Sequence, residues 1–200
     1  MADEIKAIIF DVGGVLFRAN KDVHTYMSTN LNIRRAIWSK KIEPEYSLAV
    51  KGIISKEKTL KNISKKLGIP RERLEKVWTN CYKRYKKDIL LINLTKKLKK
   101  RYKIAILSDQ WQLAKEIFRQ VGFHNHFNQA IFSCDVGTRK PELRIYKIAL
   151  KKLKLKPQEC VFIDNLEKNL RPAKKLGMKT ILFEDINQLK KDLKKKGIKK

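Results

Sequence analysis

The 200-residue chain has little of what would place it in a membrane or outside the cell. Its three cysteines, Cys81, Cys134 and Cys160, are odd in number and form no CxxC pair. A disulfide framework and a structural zinc site are therefore unsupported, and a reduced, cytoplasmic chain is expected. No apolar run approaches the roughly 18 residues that a membrane span needs, so no membrane partner is expected. The opening MADEIKAIIFD puts two acids ahead of a short apolar run, unlike the basic-then-apolar order of a secretory signal. Acidic residues are scarce as well: 20 Asp and Glu against 48 Lys and Arg leave a formal net charge of +28. No RNA-recognition signature, zinc finger or leucine zipper accompanies that charge. Lysines instead decorate nearly every predicted helix, as in SKEKTLKNISKKLG, LTKKLKKRYK and QLKKDLKKKGIKK. A Lys-rich solvated surface is expected, with non-specific polyanion association at low salt as the alternative. The tail from Lys190 to Lys200 is the candidate exception.

Apolar material is plentiful: 42% of the residues are hydrophobic, enough for a real core and too much for wholesale disorder. Five short runs stand out, KAIIF, KIAIL, AIFS, CVFI and KTILF. Each gives way at once to polar residues: Asp11, Ser108-Asp109, Cys134-Asp135, Asp164-Asn165 and Glu184-Asp185. Runs of this length, rich in Ile and Val, read as strands buried on both faces. Helical stripes fill the gaps. Leu113, Ile117 and Val121 share a face before Gly122, and Ile145, Ile148, Ala149 and Leu153 form another. Leu170, Ala173 and Leu176 precede Gly177, with Pro172 tolerable only in the first helical turn. Alternating strands and helices predict a parallel five-stranded α/β sheet with helices on both faces. From Phe17 to Asp88 that rhythm breaks. No strand is evident, and the stripes Leu60, Ile63, Leu67 and Leu74, Val77, Trp78, Cys81, Tyr85 predict a helical bundle. Residues 1–16 and 89–200 are thus expected to form the α/β core and residues 17–88 a helical insertion.

In open parallel sheets ligands bind beyond the carboxyl ends of the strands, at the switch in strand order. A central first strand brings Asp11 opposite Asp164-Asn165, with Ser108 alongside and Lys140 of TRKPE within reach. One acid, one hydroxyl, one lysine and an acid-amide pair suggest phosphoryl chemistry. A carboxylate attacks in line, the lysine and hydroxyl hold phosphoryl oxygens, and a cation offsets the repulsion.

The strings IIFDVGGVLF, ILSD, VGTRKPELRIY and VFIDNLEKNLRPAKKLGMKTILF, in this order, resemble the haloacid dehalogenase-like hydrolase superfamily over essentially the whole chain. EYSLAVKGIISKEK is similar to a stretch of that group's helical caps. Within the superfamily the resemblance is to small sugar-phosphate phosphatases and to the phosphatase domain of soluble epoxide hydrolase. It implies a Rossmann-like core with a cap inserted after the first strand, and a small phosphorylated metabolite as substrate. Asp11 would be the nucleophile, Ser108 the phosphoryl-binding hydroxyl and Lys140 the neutralising charge. Mg2+ would be held by Asp11, the main-chain carbonyl of Gly13, Asp164 and Asn165. Gly13, Gly14, Asp109 and Arg139 would line the substrate. Two positions depart from the pattern: Gly13 stands where most such phosphatases carry an acid–base Asp, and Asn165 where many carry a second Asp. A catalytically impaired binding or regulatory protein, and a metal-independent dehalogenase, are the alternative readings.

Overall fold

The first apolar run forms β1 (Ala7–Phe10), in which all four side chains are withdrawn from solvent. The computed structural model describes residues 4–199; Met1–Asp3 of the expected core and Lys200 of the basic tail lie outside the described residues. A two-residue ribbon follows, β2 (Phe17–Arg18) paired antiparallel with β3 (Lys86–Lys87). The remaining runs form β4 (Lys103–Ser108), β5 (Gln129–Phe132), β6 (Cys160–Asp164) and β7 (Lys179–Leu182). The main sheet has five strands in the order β5-β4-β1-β6-β7, and every pairing in it is parallel. β1 is central: Phe10 lies in register with Ile106 on one side and Ile163 on the other.

Successive side chains on a strand point to opposite faces, and here both faces are covered. Ile8, Phe10, Ile104, Ile106, Val161 and Ile163 enter one apolar cluster. Ala7, Ile9, Ala105, Leu107, Ile131 and Phe162 enter the other. That is why the strands read as unbroken apolar runs rather than as alternating ones.

Between β2 and β3 run α1 (Val23–Asn30), α2 (Arg35–Ile37), a π-helical turn (Trp38–Ile42), α3 (Glu43–Val50), α4 (Lys56–Leu67) and α5 (Arg71–Lys83). The ribbon at the base of this insertion corrects the expectation of no strand there; two-residue strands are too short to show a period. Ser55 caps α4 by accepting the Lys58 N–H, and Leu60 and Ile63 bury its apolar stripe. The insertion is fastened to the sheet: Ser133 Oγ, just past β5, donates to the Val50 carbonyl at 2.7 Å. Gly52, at φ +67°, lies so close that a Cβ would overlap the Cys134 carbonyl. The glycine of the EYSLAVKGIIS stretch is therefore a contact requirement.

The remaining helices are α6 (Ile89–Leu98), α7 (Gln112–Gln120), α8 (Ser133–Val136), α9 (Leu143–Leu153), α10 (Glu167–Lys175) and α11 (Ile186–Lys195). Helices α6, α7 and α11 pack on the first cluster and α9 and α10 on the second. Two helix expectations fail in detail. Val121 is 45% exposed beyond the end of α7, and Phe118 takes the buried position instead. Pro172 lies inside α10 past the first turn, where its missing N–H leaves the Lys168 carbonyl without the usual helical donor. Among the described residues no helix is long and apolar enough to cross a membrane.

Candidate active site

The chain leaves β1 without breaking its ladder, because the Asp11 N–H still donates to the Ile163 carbonyl at 2.9 Å. It then doubles back: the Phe17 N–H reaches the Val12 carbonyl and the Gly14 N–H the Phe17 carbonyl. Gly14 adopts φ +86°, and a Cβ there would overlap the Asn165 side chain. Only glycine lets the loop after β1 lie against the loop after β6.

Lys140 is 4% exposed and Asp11 6%, while Asp164 is fully buried. Lys140 Nζ stands 2.8 Å from Asp11 Oδ1 and donates to Asp164 Oδ2 at 2.7 Å. Buried charges of this kind persist only when paired. Burial disfavours the charged lysine, but Asp11 and Asp164 outweigh it and raise its pKa, so it stays protonated. Burial lifts the Asp11 carboxyl to about 7, opposed by Lys140 and assisted by the like charge of Asp164. Asp11 Oδ1 also accepts the Val12 N–H at 2.7 Å, which leaves Oδ2 as the atom for chemistry.

Asp164 is used up. Its Oδ1 accepts the Leu166 N–H at 2.8 Å, and Asn169 Nδ2 reaches both oxygens at 3.1 and 3.0 Å. It therefore orients Lys140 and the loop from behind, and in this arrangement both oxygens expected to serve the metal are engaged by protein donors. The next residue offers an uncommitted oxygen. Asn165 lines the cavity, and its Oδ1 is buried with no hydrogen-bond partner. An orphaned carbonyl oxygen suits a hard cation, as do a main-chain carbonyl at Gly13 and the Asp11 carboxylate. Among the described residues no group of three His, Cys, Asp or Glu side chains converges. The donor set suits magnesium and brings one negative charge rather than two.

Above this floor lies a cavity of about 510 Å³ lined by Gly13, Gly14, Asn165, Tyr46, His24 and Arg139, among others. Ser108, 2% exposed, lines a narrower recess of about 80 Å³ together with Gly13, Asp109 and Tyr85. Asp109 and Arg139, expected to touch substrate, also fix the site. Asp109 Oδ1 accepts the Lys140 N–H at 2.9 Å, and Oδ2 accepts from Arg139 Nε at 3.3 Å. Arg139 reaches across to Ser47 Oγ in the insertion at 3.1 Å. Arg18 is paired to Asp88 at 2.6 Å at the ribbon. Trp38 and Trp78 are fully buried against each other, whereas Tyr46 both packs on Trp78 and lines the cavity. His24 carries no signal in the sequence; only the folded insertion brings it to the cavity wall.

A parallel sheet with a helical insertion after its central strand, and an acid–lysine pair at that strand's carboxyl end, defines a class of α/β hydrolases. The sequence pattern of the haloacid dehalogenase-like hydrolase family matches residues 5–177, and the chain belongs to that family. It is 39% identical over 102 residues to bifunctional epoxide hydrolase 2 of Rattus norvegicus, covering 48% of this chain and 18% of that protein. It is 35% identical over 85 residues to glyceraldehyde 3-phosphate phosphatase of Methanocaldococcus jannaschii, covering 40% of this chain and 36% of that one. The chain thus spans well under two thirds of these relatives. A HAD family enzyme of Bacteroides thetaiotaomicron shares the fold with a TM-score of 0.81 at 22% identity, over 94% of this chain and 98% of that one. That enzyme has also been crystallised with magnesium and inorganic phosphate.

Proposed function

We propose that this hydrolase is a magnesium-dependent phosphatase of small phosphate monoesters, acting through an aspartyl-phosphate on Asp11. The observation that carries the reading is the buried Asp11–Lys140 pair at 2.8 Å at the carboxyl end of the central strand, two residues before Gly13, which lines both the Ser108 and the Asn165 recesses. The named phosphatase relatives support the same substrate class.

Asp11 Oδ2 attacks phosphorus in line while Oδ1 stays anchored to the Val12 N–H and Lys140. Lys140 neutralises the attacking carboxylate, and Asp164 holds its ammonium in place. The Ser108 hydroxyl donates to a phosphoryl oxygen in the narrow recess. Magnesium, held by Asp11, the Gly13 carbonyl and Asn165 Oδ1, would supply positive charge against the developing negative charge on the phosphoryl oxygens. The helical insertion closes over the cavity and sets substrate size. A small phosphorylated metabolite in the cytoplasm is the partner this implies.

Phosphate release from a panel of sugar phosphates and nucleotides, with magnesium and with chelator, tests this. Release that needs magnesium and vanishes in Asp11→Asn is expected. Release that survives Asp11→Asn, or halide release from haloacids in chelator, would overturn it.

A further inference from the structure

His24 is the second residue of α1, and it lines the same cavity as Gly13 and Asn165. Its Nδ1 accepts a 2.7 Å hydrogen bond from Trp38 Nε1. An indole nitrogen can only donate, so Nδ1 must offer its lone pair and the ring proton must sit on Nε2. Trp38 is fully buried and opens the π-helical turn, a wide helical form that recurs at functional sites. The imidazole is further fixed edge-on to Tyr46, with ring centroids 5.6 Å apart. Among the described residues Nε2 makes no hydrogen bond to protein, and His24 lines the cavity.

The surrounding charges act in both directions. Burial is the largest influence and lowers the imidazole pKa; Glu43 and Asp22 act the other way, and Arg35 and Arg139 act with burial. Glu43 Oε2 lies 3.3 Å from Nδ1 but cannot receive a proton there while Trp38 donates to the same nitrogen. At Gly13, where most phosphatases of this resemblance carry an acid, a Cβ would meet nothing within 4 Å. The floor of the cavity therefore presents open space where a leaving-group donor would sit.

We propose that His24 is a catalytic residue: its Nε2–H, held in that tautomer by Trp38, donates a hydrogen bond to the leaving-group oxygen of a monoester seated on Asp11. This rests on the phosphatase reading and names the group that stands in for the missing acid. As an Asp11 oxygen bonds to phosphorus, the bond from phosphorus to the alcohol oxygen breaks and its electron pair passes to that oxygen. The Nε2–H steadies the charge without giving up its proton. The alkoxide takes a proton from water, and the hydroxide formed is neutralised by solvent.

The test compares kcat/KM of the wild type, His24→Ala, His24→Asn and His24→Gln on an alkyl phosphate and on 4-nitrophenyl phosphate, whose leaving group needs no donor. The Asn side-chain oxygen mimics the Nδ1 acceptor for Trp38, whereas the Gln amide mimics the Nε2 donor. Removing one donor to developing charge typically costs about a hundredfold or more. His24→Ala and His24→Asn should lose about that much on the alkyl ester and only a few-fold on the nitrophenyl ester. His24→Gln should recover most of the alkyl activity. Equal losses on both esters, or rescue by Asn and not by Gln, would overturn the assignment while leaving the phosphatase reading intact. A wild type that releases phosphate from neither ester overturns both.

Discussion

At the carboxyl end of the sheet one lysine, Lys140, is 4% exposed between two carboxylates. At the amino end Lys6, Lys99, Lys100, Arg101 and Lys103 are exposed around an open cleft of about 500 Å³. There Lys6 pairs with Glu159 at 2.6 Å, and Lys103 Nζ donates to the Leu153 carbonyl at 3.1 Å. The comparison teaches that net charge and chemistry are separate properties of this chain. Water screens the amino-end lysines, so each contributes little locally while adding to the long-range field. Lys140 has lost that screening, and its interactions with Asp11 and Asp164 are correspondingly strong.

The largest contrast is energetic. Lys140→Met leaves Asp11 and Asp164 together with no cation between them. It should cost about 3–5 kcal/mol of unfolding free energy in urea titrations, and about a thousandfold or more in turnover. A stability within about 1 kcal/mol of wild type would break the comparison. Next comes an addition to the floor. Gly13→Asp places an acid into open space at a glycine whose φ is not positive. Acid–base help is typically worth about a hundredfold or more. The substitution should raise alkyl-ester turnover and make it insensitive to His24→Ala; an unchanged rate would mean that the new carboxylate does not reach the leaving group.

A smaller effect follows from Asp11. Burial raises its carboxyl from 3.8 to about 7, and a cation binds only the ionised form. Protons therefore compete more strongly as pH falls. Magnesium affinity, followed by calorimetry, should weaken about tenfold from pH 8 to pH 6, and a flat profile would place the cation elsewhere. The smallest effect belongs to the other end of the sheet. Lys99→Ala with Lys100→Ala should leave stability within about 0.5 kcal/mol and turnover unchanged, while lowering the salt needed to elute the protein from heparin. A loss of turnover would tie the amino-end cleft to the site.

Much of this was legible in the sequence, for physical reasons. The three central strands are buried on both faces and the two edge strands partly so, which makes short apolar runs of them, and polar residues at their ends mark the crevice. Asp11, Ser108 and Lys140 follow from that placement. Three things were not legible. A two-residue ribbon shows no period. Whether Asp164 or Asn165 faces the cavity depends on the turn after β6, where the Leu166 N–H and Asn169 capture Asp164. His24 and Trp38, 14 positions apart, meet only in the folded insertion, where Trp38 opens the π-helical turn. The same burial explains Pro172, held inside α10 by Leu170 and Ala173 in the second cluster rather than by helical propensity.

The central claim is that Asp11 takes the phosphoryl group covalently. Mass spectrometry of peptides from enzyme acid-quenched during turnover of an alkyl phosphate with magnesium tests it most directly. A phosphorylated peptide containing Asp11, absent from Asp11→Asn, is the predicted result. Steady phosphate release with Asp11 unmodified at every quench time would contradict it.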